Sequence, residues 1–159
     1  MAERSGGVHG ESVSESLAAS ASLVVDSLPA IEFRSVGNSI ATYSPETDTI
    51  YVSPSLEQTH VDSLSLSAMN GWLSQPNPVL HEYSHRYHMM ADPEGYAASC
   101  DVPLSSEQRS LIASEVSRYA ATNSQEFIAE YVAGRLSGKT YSDDVKAIVL
   151  SVTNGCVRL

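Results

Sequence analysis

Asn77-Pro78-Val79-Leu80-His81-Glu82-Tyr83-Ser84-His85-Arg86-Tyr87-His88 is the stretch on which both the fold and its chemistry turn. Asn77 can cap a helix with its side chain, and Pro78 at the first helical position gives up no N–H that a helix would use. A helix is therefore predicted from Pro78 to about Ala91, stopping before Asp92-Pro93. Within it, His81 and His85 are four residues apart. Four residues advance a helix by about 6 Å and return to nearly the same face, so the two imidazoles converge on one metal ion while Glu82 points beside them. The plain alternative is two ordinary histidines on one helix.

A catalytic zinc takes three protein ligands and one water, so this helix leaves a ligand to be found. His88 lies one further turn along the same face. Its Cα is about 10 Å from that of His81, too extended for three rings to close a tetrahedron, and it reads as packing or support. His60 falls in a weakly patterned stretch with no partner nearby in sequence. The stronger candidate lies downstream, in Tyr119-Ala-Ala-Thr-Asn123-Ser-Gln-Glu126-Phe127-Ile128-Ala-Glu130-Tyr131, where Glu126 and Glu130 share one face of a helix predicted over Ser124 to Leu136. Phe127, Ile128, Tyr131 and Val132 turn part of that helix to the core, so the carboxylates need partners there; a metal and the imidazole N–H groups would serve. A competing reading uses the capping-box spacing of Asn123 and Glu126, with Glu126 serving only the helix start. The missing ligand favours Glu126 as a metal ligand.

Around this pair of helices the pattern is mixed. Residues 1–11 combine glycine, serine and charge without periodicity and read as a flexible tail. Val13, Leu17, Ala21, Val24, Val25 and Leu28 recur at helical spacing until Pro29, which predicts a first helix over Ser12 to Leu28. Ile31 to Val36, Ile40 to Tyr43 and Thr49 to Val52 read as strands, separated by a Gly37-Asn38 turn and by the turn chemistry of Ser44 to Asp48. They suggest a hairpin in a short sheet. Helices are predicted near Ser63 to Leu73, over Ser106 to Tyr119 and over Ser142 to Val152. The expected architecture is a single α+β domain over residues 12–159, mostly helical, with a small sheet before the two-histidine helix.

The chain has 159 residues, 42% of them hydrophobic, which suffices for one core and is too short for two ordinary domains. A formal charge of −10 leaves no electrostatic footprint for nucleic acid or an anionic membrane. No apolar run is long enough to cross a bilayer, and Met1 to Glu11 lacks the basic start and apolar run of a secretory signal. The expectation is a cytoplasmic protein or one exported by a non-classical route. Cys100 and Cys156 can form at most one disulfide and read as independent small hydrophobes. Trp72, Tyr83 and Tyr87 read as packing residues.

The combination of His81-Glu82-x-x-His85, a tyrosine seven residues before a glutamate, and Glu126-Phe-x-Ala-Glu130 resembles the catalytic domain of anthrax lethal factor and its relatives. These are gluzincin metallopeptidases that include the secreted Pro-Pro endopeptidases and small minigluzincins. Tyr43 to Val52 is similar to the hairpin that small gluzincins place before the motif helix, and the likeness spans roughly residues 31–137. The pentapeptide is shared by many unrelated peptidases; the tyrosine-to-glutamate spacing discriminates. The resemblance implies a zincin-like fold and one Zn2+ per chain held by His81, His85 and Glu126. It also implies Glu82 as general base, Tyr119 aimed at the oxyanion, and Glu130 orienting a ligand histidine. Ser84 stands where relatives often carry glycine, and His88 where they often carry an acid.

The implied function is a zinc-dependent endopeptidase acting on a peptide or protein. Thr49, Ile50, Tyr51 and Val52 would form the substrate rim by pairing with an extended peptide, against the alternative of a hairpin that merely closes the core. A different class of reading keeps the same ligands in a non-catalytic structural or regulatory zinc domain that binds a partner or belongs to a larger assembly; such a site needs neither Glu82 nor Tyr119. Repressor-cleaving regulatory peptidases share the pentapeptide and a downstream glutamate, but the tyrosine spacing speaks against them.

Overall fold

The computed structural model describes residues 28–54 and 58–159. The predicted tail, and the predicted helix up to Ser27, lie outside the described residues. In chain order the elements are β1 (Ala30–Phe33), β2 (Ala41–Ser44), β3 (Thr49–Val52), α1 (Gln58–Met69), α2 (Pro78–Ala91), α3 (Pro93–Ala98), a 3-10 turn (Ser99–Asp101), α4 (Ser106–Glu115), α5 (Ser124–Leu136) and α6 (Asp143–Val152). The described chain is thus α+β, six α-helices with a three-stranded sheet. None of these helices is long and apolar enough to cross a membrane.

The sheet differs from the expected arrangement in one respect that matters for function. β2 and β3 form the antiparallel hairpin, with Tyr43 opposite Ile50, but β1 pairs in parallel with the other edge of β3, giving the order β1-β3-β2. The Gly37-Asn38 turn is present, Gly37 having φ +65°, yet it does not fold β2 back onto β1. Burial explains the choice. All four β3 residues are buried, whereas β1 exposes Phe33. A strand covered on both faces belongs in the middle, where both rows of its backbone polar groups are paired.

Two apolar clusters hold the layers together. Tyr43, Ile50 and Val52 of the sheet pack on Val79, Leu80 and Tyr83 of α2, with Ala133 of α5 completing the cluster. The second cluster joins α4, α5 and α6 through Ile112, Phe127, Ile128, Tyr131, Val132, Val145 and Val149. Helix α5 therefore serves both, and it is buried continuously from Phe127 to Gly134. α2 starts as the sequence predicts: Asn77 Oδ1 accepts the N–H groups of Val79 and Leu80 at 3.0 and 3.2 Å.

Helix α2 is also tied to the hairpin by charge. The Arg86 guanidinium, fully buried, donates to both Asp48 oxygens at 2.6 and 3.0 Å, and Tyr43 donates its phenol to Asp48 at 3.1 Å. Asp48 occupies the hairpin turn with φ +47°, a conformation Asn tolerates equally. Asp48→Asn removes the carboxylate that pairs with a buried cation. Because the Asp48 side chain is 45% exposed, solvent screens the pair, and the expected loss is about 2 kcal/mol rather than the 3–5 of a fully buried pair. A thermal midpoint lower by roughly 4–8 °C is the expected result, and an unchanged midpoint would refute the role. The guanidinium holds the Asp48 carboxyl below its ordinary value, so the contribution is complete above about pH 4 and fades as pH falls through that lowered value.

The helices depart from the predicted ones in α1, which begins earlier at Gln58, in α4, and in an added short helix. α1 ends at Met69, where Gly71 takes φ +77° and the N–H groups of Trp72 and Leu73 return to the Ser67 carbonyl at 2.9 and 3.1 Å. α4 stops at Glu115 instead of reaching Tyr119, because the Arg118 and Tyr119 N–H groups bond the carbonyls of Gly71 and Trp72, both at 3.0 Å. The short α3 has no counterpart among the predicted helices. Asp92 caps it by accepting the Gly95 N–H at 3.1 Å, with Pro93 at its first position. Cys100 and Cys156 are free and exposed rather than buried.

Candidate metal centre

The helical spacing of His81 and His85 turns both rings toward the first turn of α5. Their Nε2 atoms lie 3.1 Å apart, and Glu126 Oε2 lies 3.0 Å from one and 3.4 Å from the other. Ligand atoms at 2.0–2.1 Å from a tetrahedral zinc stand about 3.3 Å from one another, so the three donors already have the spacing of a shared ion. They fit a metal in chemistry as well, two imidazole nitrogens and a carboxylate oxygen with no hydrogen-bond donor of its own. Among the described residues this group can hold a metal ion, and neither His60 nor His88 belongs to it. His60 is exposed on α1.

The structure separates the two readings of Glu126, since the helix start is capped by Asn123 and not by the Glu126 carboxylate. Asn123 Oδ1 caps α5 by accepting the backbone N–H of Glu126 at 2.9 Å, while the Glu126 side chain goes to the imidazoles. Burial would raise its pKa, but His81 and His85 outweigh that and hold the carboxyl well below the usual range. Burial would likewise depress the His81 imidazole; the Glu126 and Glu130 carboxylates reverse this and lift it to about 10.

One turn further along α5, Glu130 is fully buried and every bond it makes is specific. Its Oε1 faces His81 Nδ1 at 2.7 Å; its Oε2 accepts the Ser74 N–H at 2.5 Å and the Ser117 hydroxyl at 2.9 Å. In the neutral ring that a metal requires, Nδ1–H donated to Glu130 leaves the His81 lone pair on Nε2, on the side of Glu126 and His85. Ser74 and Ser117 are residues that sequence reasoning missed. No motif spacing announces them, since each depends on the pairing of residues 71–72 with 118–119.

Glu82 faces the sheet instead of α5, and its Oε2 accepts the Tyr43 N–H of β2 at 2.8 Å. That bond also shows which way β2 is turned, because alternate residues of an antiparallel strand point their polar groups away from the partner. The free edge of β2 therefore looks onto the centre. Beside it lies a cavity of about 290 Å³ lined by Ile40, Ala41, Leu64, Leu73 and Pro76, and also by His81, Glu82 and Tyr119. The expected rim at Thr49 to Val52 is corrected here. β3 has β1 on one edge and β2 on the other, so it has no edge left for a peptide.

Tyr119 lines this cavity, its ring 5.8 Å from that of His81 and 6.1 Å from that of Trp72. Burial first, then the carboxylates of Glu126, Glu82 and Glu130, push its phenol up to about 12, so it remains a hydrogen-bond donor. Trp72 is 43% exposed and adjoins Tyr119, which corrects the reading of it as a packing residue. Tyr83 is fully buried, and His88 is also buried with its imidazole held down to about 4 by desolvation, in keeping with packing roles. Comparison with protein families, curated proteins and solved structures finds no match for the chain.

Proposed function

We propose that the chain is a zinc-dependent endopeptidase with a zincin-like fold of the gluzincin type. The observation that carries the reading is the convergence of His81 Nε2, His85 Nε2 and Glu126 Oε2 at tetrahedral spacing, with Glu82 on the adjacent helical position. His81, His85 and Glu126 would hold the zinc, which would supply Lewis acidity and a water acidified toward a pKa of about 7. Glu82, fixed by the Tyr43 N–H through one oxygen, uses its carboxylate to accept the water proton and pass it to the leaving amine. Tyr119 donates its phenol to the developing oxyanion, and Glu130 keeps His81 in the tautomer and orientation that ligation needs.

The outer edge of β2, through Ala41 and the Tyr43 carbonyl, takes the extended substrate in place of β3, the Tyr43 N–H being held by Glu82. A side chain next to the scissile bond enters the cavity between Leu64, Leu73 and Ile40, which favours an apolar residue there. A purely structural metal site has no use for three features, namely Glu82 anchored to the edge strand β2, the Tyr119 phenol, and the cavity that both line.

The test is zinc per chain in the purified protein together with a peptide-library cleavage screen. One zinc and cleavage beside an apolar residue are expected. One zinc with no cleavage of any peptide would turn the reading to the structural or regulatory domain. Tyr119→Phe is expected to retain full zinc and to lose about a hundredfold in kcat, the usual effect of removing one oxyanion donor. Wild-type kcat in that variant would remove Tyr119 from the mechanism.

A further inference from the structure

A second phenol stands on the opposite side of the imidazole pair. Tyr96, in α3, sets its ring perpendicular to those of His85 and His88, with centroids 6.2 and 5.3 Å away and interplanar angles of 75° and 86°. Its backbone is pinned to α5 beside Glu126: the Tyr96 carbonyl accepts Gln125 Nε2 at 3.1 Å and the Ser99 hydroxyl at 2.6 Å. The cap from Asp92 fixes the turn that carries it. A tyrosine phenol is protonated at neutral pH, so Tyr96 is able to donate.

The two tyrosines divide the centre between them. Tyr119 adjoins His81 and lines the cavity together with Ile40 and Ala41, while Tyr96 adjoins His85. A peptide bound across the metal donors has Tyr119 beside it on the His81 side and Tyr96 on the His85 side. We propose that Tyr96 is a second substrate-binding phenol, donating a hydrogen bond to a peptide carbonyl that flanks the scissile bond on the side away from Tyr119. This rests on the peptidase reading, and it assigns Tyr96 to a flanking carbonyl that is bound equally before and during reaction.

The discriminating experiment uses the cobalt(II)-loaded protein, whose visible absorption reports ligand binding without turnover. Wild type and Tyr96→Phe are titrated with acetohydroxamate, which offers only a metal-binding head, and with a peptide hydroxamate that also fills the cleft. The variant keeps the ring that packs on His85 and His88. The expected result is an unchanged cobalt spectrum, unchanged acetohydroxamate affinity, and roughly tenfold weaker binding of the peptide hydroxamate. With zinc and a cleaved peptide, kcat/KM should fall by about the same factor, chiefly through KM, where Tyr119→Phe acts through kcat. Equal peptide-hydroxamate affinity in both proteins overturns the assignment. So does an altered spectrum or acetohydroxamate affinity, which would make Tyr96 a partner of the metal. A wild type that binds the peptide hydroxamate yet cleaves nothing overturns the peptidase reading, while the same titrations still decide the part of Tyr96.

Discussion

Glu82→Gln is expected to take up one zinc per chain and to hydrolyse peptides roughly a hundredfold to ten-thousandfold more slowly than the wild type. The substitution is nearly isosteric. Its amide oxygen can still accept the Tyr43 N–H that Glu82 Oε2 accepts at 2.8 Å, so the β2 edge keeps its place against α2. The three metal donors are untouched, since Glu82 is not among them. What disappears is the only property the mechanism asks of this residue, a basic oxygen able to take a proton from water and return it to the amine. Zinc content by elemental analysis and kcat on a cleaved peptide measure the two halves separately. A variant with more than about a tenth of wild-type kcat would remove Glu82 as the general base; one that lost its zinc would show that the residue supports the metal instead.

Glu126→Ala should do the reverse, costing the metal before the chemistry. Loss of an outer partner of a metal ligand typically weakens binding by about 10–100-fold, so loss of one of three direct ligands should exceed that. The fold should survive, because the cap on α5 runs from Asn123 Oδ1 to the Glu126 backbone N–H, which alanine retains. Phe127 and Ile128, which anchor this end of the helix in the core, are unaffected. The expected result is a folded protein with a thermal midpoint near that of metal-free wild type and little or no zinc after dialysis. Full zinc in the purified variant would mean that another residue completes the site.

How far these residues could be read from the sequence depends on the range of the interactions that place them. The start of α2, its end and the start of α5 are set within a few residues by Asn77-Pro78, Asp92-Pro93 and Asn123, and the structure has them where the sequence predicts. His81 and His85 follow from helical spacing alone. Glu126 required one long-range step, that two helices with apolar flanks would pack on each other, and the pairing of α2 with α5 brings it to the imidazoles. The strand order did not follow from local pattern, because Gly37-Asn38 signals a turn without saying which strand lies beyond it. Ser74 and Ser117 carry no pattern at all. They bond Glu130 only because the N–H groups of Arg118 and Tyr119 reach across to the carbonyls of residues 71 and 72. Tyr96 could have been found: Asp92-Pro93-Glu94 has the same start chemistry as Asn77-Pro78, and a short helix read there would have turned attention to its one aromatic residue.

The position of Trp72 has an optical consequence. It is the only tryptophan in the chain, so its emission reports one place without interference from any other indole. Nearly half of its surface is open to water, and its neighbours are the Tyr119 ring and the Arg118 guanidinium, 5.8 Å from the indole centre. Whatever fills the cleft beside Tyr119 must change the polarity that this indole senses. The protein thus carries its own unlabelled reporter of occupancy, readable in dilute solution and in variants that turn over nothing.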